Sequence, residues 1–164
     1  MKIFINLLLL SLLALAGCNF EQKQPQTADM ENLSDYIPIA DTIITDVLIL
    51  NPNTDEWTDY SLRNLDKKTL VNEIFESVYH EDLIPYEFFH NKPLTIDDIK
   101  ELEKDPEFSR DKIAKVQFEE AWYYDPTNQK MIKKVHSIMF AYEIYNSLGE
   151  IKGYKPAFKV YFKQ

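Results

Sequence analysis

Cysteine and glycine are scarce in this chain, and each scarcity excludes a class of function. The 164 residues contain one cysteine, Cys18, and three glycines. A single cysteine cannot form an internal disulfide or a multi-thiolate metal site. With Gly17 near the start and the other two glycines near the end, no glycine-rich phosphate-binding loop can form. Positive charge is also in deficit. The formal net charge of −9 argues against nucleic acid as a partner and against polybasic attachment to anionic lipid.

The first 18 residues have the features of an export signal. Lys2 precedes an uncharged stretch, rich in leucine and alanine, that runs to Gly17. The stretch is shorter than the roughly 20 apolar residues that span a bilayer, so it indicates a secretory signal peptide. Its end, Leu-Ala-Gly-Cys, resembles the bacterial lipobox, in which the cysteine thiol receives a diacylglyceryl group. We therefore expect a signal peptide over 1–17 and an outer-membrane lipoprotein anchored at Cys18 and facing the periplasm. A signal peptide with a chance cysteine is the alternative.

A polar segment separates this signal from the rest of the chain. Residues 18–36 lack apolar periodicity and contain a proline. Such a segment cannot bury enough surface to offset the loss of chain entropy, so we expect a disordered tether. No internal repeat or second linker follows, and residues 37–164 are expected to form one domain.

One strand and two helices are expected in the first part of this domain. Asp41–Leu50 is β-branched and apolar, which favours a strand. A helix from about Asp66 to Tyr79 is indicated by apolar residues at helical spacing, with Asp66 as its N-cap. A second helix begins at Thr95, paired with Asp98 in a capping box, and ends near Asp105, before a proline. The residues expected to face the core are Val71, Ile74, Phe75 and Val78, then Ile96, Ile99 and Leu102.

The last third of the chain changes to a period of two, which is typical of strands. We expect strands over Ile113–Tyr124 and about Lys130–Tyr145, joined by a hairpin turn in which Pro126 suits position i+1 and Asn128 tolerates a left-handed conformation. A second reversal across Leu148–Lys155 contains both remaining glycines, and Pro156 then begins the last strand. The predicted fold class is α+β: an antiparallel meander of three strands in the C-terminal third, with two helices packed on its apolar face.

The sequence offers little chemistry of its own. Its three histidines are scattered without metal-ligand spacing, and the alternation of Asn51, Asn53 and Asp55 lacks the glycine and glutamate of a calcium loop. Glu120 interrupts an apolar strand face; we favour a carboxylate satisfied by a tyrosine or lysine of a neighbouring strand. We predict no catalytic residue, metal or cofactor. Four aromatic residues would serve as protein contacts where they are exposed: Trp57, Trp122, Tyr123 and Tyr154.

Two segments resemble the C-terminal signature of the GldN/PorN family of Bacteroidetes. "EEAWYYDPTNQKMIKKVHSIMF" is similar to the family's "EDWFFD" element and the strand that follows it, and "GEIKGYKPAFKVYF" to its "NGEVRGYRPLFWIYY" element. "TDEWTDYSL", at Thr54–Leu62, is similar to a further family segment, and "NKPL", at Asn91–Leu94, to another. The residues that match in character are Glu120, Trp122, Tyr123, Tyr124 and Asp125, and then Gly149, Glu150, Gly153, Tyr154, Pro156, Phe158 and Tyr161.

This resemblance implies a non-enzymatic part of the type IX secretion and gliding machinery, which forms a periplasmic ring beneath the outer membrane. The expected partners are therefore ring or motor proteins. The chain is about half the family's usual length and has its own lipidation site, so we expect a shortened, lipid-anchored relative. Two alternatives stay open: a free-standing acidic lipoprotein that binds or inhibits a basic protein, and a small hydrolase.

Overall fold

The computed structural model describes residues 33–163. The predicted signal peptide, Cys18 and most of the predicted tether lie outside the described residues.

A five-stranded antiparallel sheet is the main element of the fold, which confirms the predicted α+β class. The strands are β1 (Ile37–Leu48), β2 (Pro85–Tyr86), β3 (Ile113–Asp125), β4 (Lys130–Tyr145) and β5 (Ile151–Tyr161). Their spatial order is β1-β3-β4-β5-β2. The predicted meander is present as β3, β4 and β5. The strand predicted at Asp41–Leu50 is present as β1, which pairs with β3 at one edge, and β2, which was not predicted, pairs with β5 at the other.

Three α-helices connect the strands: α1 (Glu56–Leu62), α2 (Lys67–Tyr79) and α3 (Ile96–Lys104). The two predicted helices, α2 and α3, are confirmed together with their caps. Asp66 accepts a hydrogen bond from the Thr69 amide, and Thr95 and Asp98 form the capping box. Helix α1 was not predicted, because it is seven residues long and buries no residue, so it lacks the longer apolar pattern of a core-facing helix. None of the helices within 33–163 is long and apolar enough to cross a membrane.

The core lies where α2 and α3 meet one face of the sheet. Phe75 is fully buried at its centre, with its ring centroid 4.9 Å from that of Phe158 and 6.5 Å from that of Phe140. The four residues predicted for the α2 stripe are all buried, and Ile99 joins them from α3. The apolar faces of the two helices and of the strands therefore pack together in one cluster.

The reversal before β5 is shorter than predicted. It spans Asn146–Glu150, where Gly149 has a φ of +79°. The expectation for Gly153 was wrong, because it lies inside β5 and its φ is outside the left-handed region. Pro156 also lies inside β5 rather than at its start. A proline is tolerated there because the pairing with β4 shifts register beside it and β2 reaches only Lys159 and Val160 on the other side.

The predicted turn between β3 and β4 is present, and its positive φ falls on Gln129. Asn128 donates from Nδ2 to Oδ2 of Asp125 at 2.6 Å, and its amide donates to Oδ1 at 3.1 Å. These hydrogen bonds hold the pKa of Asp125 below its ordinary value, and the one from the side chain of Asn128 has the largest effect.

Candidate partner-binding site

Helix α1 presents an exposed stripe of two aromatic residues and an arginine. Trp57 is 75% exposed and Tyr60 is 57% exposed. Their rings stack with centroids 6.0 Å apart and planes 24° apart, and the guanidinium carbon of Arg63 lies 3.7 Å from the Tyr60 ring centroid. Residues three apart on a helix share a face. Trp57, Tyr60 and Arg63 therefore form one continuous surface, which we call the α1 stripe.

Polar contacts hold this short helix in place. Asn51 donates from Nδ2 to the backbone carbonyl of Asp55 at 2.7 Å and to the carboxylate of Asp59 at 2.8 Å. Asp55 is the N-cap, and the amide of Thr58, donating at 2.8 Å, holds the pKa of Asp55 below its ordinary value. Asn51, Asn53 and Asp55, which alternate in the sequence, therefore act in a turn and a helix cap.

Glu120 lies in a small cluster with two neighbours on the helix-bearing face of the sheet. It is 6% exposed, and its Oε2 accepts a hydrogen bond from the indole N–H of Trp122 at 2.8 Å. The Lys133 ammonium of β4 lies 3.4 Å from the same oxygen and 4.5 Å from the Trp122 ring centroid. The carboxylate is thus satisfied by a lysine of the neighbouring strand, as the sequence favoured.

The other residues singled out in the sequence are spread across the sheet. Tyr123 is half-buried in β3, and Tyr154 is half-buried in β5, with the Lys115 ammonium 5.1 Å from its ring centroid. Pro156 pairs with Ala141 in the sheet, and Phe158 is a core residue at 1% exposure. The structure does not bring these residues together with Trp57. Only Trp57 is exposed as a contact residue would be.

The histidines do not assemble into a site. His90 lies 3.1 Å from Glu87 through Nδ1 on an exposed loop. Within residues 33–163, no group of three or more histidine, cysteine or acidic side chains could hold a metal ion.

Sequence reasoning missed three residues of interest. Tyr60 and Arg63 follow Trp57 at helical spacing, but α1 has no apolar periodicity that would have indicated a helix. Glu143 is 3% exposed in β4, and the signal for it was the one that singled out Glu120: an acid within an apolar strand. The run from Met139 to Tyr145 contains that single charge.

The described residues form a small α+β domain with two exposed, stacked aromatic residues on α1. No model of a known protein family matches the chain, and no curated protein sequence matches it.

Proposed function

We propose that this chain is a non-enzymatic protein-binding module, attached to the outer membrane through lipid on Cys18 and facing the periplasm. The observation that carries the proposal is the α1 stripe. Tryptophan, tyrosine and arginine are the residues most enriched among those that dominate protein interfaces. An exposed tryptophan stacked on a tyrosine offers a large, rigid apolar surface at little cost in side-chain entropy.

The stripe contributes little to the stability of the fold, which strengthens this interpretation. Helix α1 buries no residue, so Trp57 and Tyr60 are not required by the core. Asn51 nevertheless fixes the helix from the adjacent loop. A contact surface that is held rigid before binding loses less entropy when the partner arrives.

Ring or motor components of the type IX secretion machinery are the partners we propose. This part of the proposal rests on the resemblance to the GldN/PorN family. The first of the two segments that carry most of the resemblance covers the end of β3, the turn and most of β4, and the second covers the turn before β5 and β5 itself. The segment Thr54–Leu62, which also resembles the family, contains α1 and its Trp57.

The net charge favours a second candidate, an acidic lipoprotein that binds or inhibits a basic protein. The formal net charge is −9 and the sequence pI is about 4.8. A surface of this sign accelerates and orients association with a cationic partner.

Co-purification from detergent-solubilised outer membranes tests the proposal and separates the two candidates. The full chain carries an affinity tag and is compared with the double variant Trp57→Ala, Tyr60→Ala. Phe89→Ala is the matched control, because Phe89 is an aromatic residue of similar exposure, 74%, outside α1. We expect secretion-ring or motor proteins with the parent chain and with the control, and their loss with the double variant.

Two other outcomes would contradict the leading proposal. Recovery of a single basic protein in place of ring components would establish the second candidate. Equal recovery of partners with the double variant and the parent chain would show that the α1 stripe does not bind them.

A further inference from the structure

We propose that a cleft at one end of the sheet binds the cationic end of an arginine or lysine side chain, with Glu143 as the anionic ligand. The cleft has a volume of about 600 Å³. Its lining comes from the loop after β1, from the end of β4 and from the turn before β5. The lining residues are Leu50–Asn53, Glu143, Tyr145 and Gly149–Ile151.

Glu143 is the unusual feature of this cleft. Its side chain is 3% exposed. The Tyr145 hydroxyl donates a hydrogen bond to Oε2, but Oε1 has no hydrogen-bond partner among the described residues. A buried carboxylate with an unpaired oxygen is costly, and proteins normally pair such a group with a cation or a donor. A cationic ligand would therefore supply the partner that Oε1 of Glu143 lacks among the described residues.

Two lysines near the cleft donate hydrogen bonds to backbone carbonyls and not to Glu143. Lys67 is close enough for its charge to interact with that of Glu143, but its ammonium donates to the backbone carbonyl of Asp111 at 2.6 Å. The Lys112 ammonium lies 5.9 Å from the Tyr145 ring centroid and donates to the carbonyl of Glu107 at 2.9 Å. Among residues 33–163, no lysine or arginine lines the cleft, whereas its rim has a second acid, Glu150.

The lining suits an organic cation on an aliphatic stem. Leu50, Pro52 and Ile151 provide apolar surface for methylene groups, and the ring of Tyr145 provides a π face. A divalent metal would need more anionic ligands. The described residues contain no group of three or more histidine, cysteine or acidic side chains that could hold one. A guanidinium or an ammonium needs one well-placed carboxylate, and Glu143 supplies it.

Access to the carboxylate involves Tyr145. Oε1 is closed off from solvent, so a ligand reaches it when a lining side chain turns aside. Tyr145 is 45% exposed and its hydroxyl already contacts the other oxygen of Glu143. It is therefore the side chain placed to exchange its hydrogen bond for that of an incoming cation.

The cleft adjoins the proposed contact surface. Asn51 lines the cleft and also holds α1 through Asp55 and Asp59. The source of the cation is thus a basic side chain of the protein that docks on the α1 stripe, an assignment that rests on the proposed function.

Nuclear magnetic resonance titration of the detergent-solubilised full chain tests the site with N-acetyl-arginine amide and N-acetyl-lysine amide. We expect saturable shifts of the Gly149 and Ile151 amides with at least one probe. Glu143→Gln, which keeps the shape and removes the charge, should weaken binding by about tenfold or more. Glu150→Gln, the matched control at the exposed rim, should weaken it by no more than about threefold, because exposed pairs contribute little.

Thermal unfolding without a probe provides the second measurement. A neutral glutamine needs no counter-charge, so Glu143→Gln should leave the melting temperature unchanged or raise it. A fall of about 4 °C or more, which corresponds to roughly 1 kcal/mol in a domain of this size, would show that Glu143 is a structural partner of Lys67 and would overturn the proposal.

Three further outcomes would also overturn it: no saturable shift with either amide, tighter Glu143-dependent binding of magnesium or calcium, and Glu143-dependent binding of spermidine alone. Binding of spermidine alone would mean that the ligand is a free polyamine and not a side chain of a partner protein. Trp57→Ala, Tyr60→Ala should bind the small probes normally. A failure at the cleft is therefore distinguishable from a failure of the α1 stripe.

Discussion

Replacement of Phe75 by alanine tests whether the core is organised as the structure shows. Phe75 is fully buried and its ring contacts those of Phe108, Phe140 and Phe158. Truncating a buried phenylalanine costs about 3–5 kcal/mol in unfolding free energy. The Arg110 guanidinium carbon lies 4.2 Å from the same ring centroid, and loss of that contact adds roughly 0.5–1 kcal/mol. We therefore expect Phe75→Ala to lower the unfolding free energy by about 3.5–6 kcal/mol.

Urea unfolding of the full chain, followed by far-ultraviolet circular dichroism, measures this loss. With a denaturant slope of about 2 kcal/mol per molar, the midpoint should fall by roughly 2–3 M. Phe89→Ala is the control: Phe89 is 74% exposed, so its loss should stay within about 0.5 kcal/mol. A loss below about 1.5 kcal/mol for Phe75→Ala would refute the placement of this ring at the centre of the core.

Three further predictions concern the turn, the helices and the anchor. Gly149→Ala should destabilise the chain by about 1 kcal/mol, because its φ of +79° strains any other residue, whereas Gly153→Ala should be neutral or slightly stabilising; urea unfolding of the two variants compares them. Burial and the hydrogen bond to Glu103 raise the pKa of Tyr79 to about 12, so its contribution to stability is complete below pH 10 and is lost as pH rises through 12; spectrophotometric titration should lose that late phenolate with Tyr79→Phe. Cys18→Ala should abolish incorporation of an alkyne-labelled fatty acid and release the chain from the membrane fraction, and unchanged labelling would contradict the lipobox interpretation.

Local patterns account for the parts of the fold that the sequence predicted. The α2 stripe and the capping box of α3 depend on residues within four positions of one another, so spacing alone indicates them. The strand β4 was predicted with its observed bounds, Lys130–Tyr145, because both of its ends adjoin turns.

Non-local pairing explains much of what was missed. β1 was predicted as a strand, but its partner β3 lies more than 60 residues away, and the register of such pairs has no local signal. β2 is two residues long and exists through its pairing with β5. Pro156 was misplaced for a related reason: whether an interior proline is tolerated depends on what lies on the other side of the strand.

The candidate sites were also predictable only in part from the sequence. Trp57 was identified by residue type, but its exposure and its stacking on Tyr60 required the structure. Glu143 was missed because its burial depends on how β4, β5 and the loop after β1 come together. Its sequence signal is the same as that of Glu120, and only the structure distinguishes them. Glu120 has a cation at 3.4 Å, and Glu143 has an oxygen with no hydrogen-bond partner in the described part of the chain.

Photo-crosslinking from α1 in intact native cells is the most direct test of the central claim that the α1 stripe binds a partner protein. Trp57 is replaced by the photoreactive residue benzoylphenylalanine, and Phe89 is replaced in the same way as the control. The account predicts a protein adduct of defined mass from position 57, which is lost when Tyr60→Ala is added, and none from position 89. An adduct from position 89 with none from position 57 would contradict it.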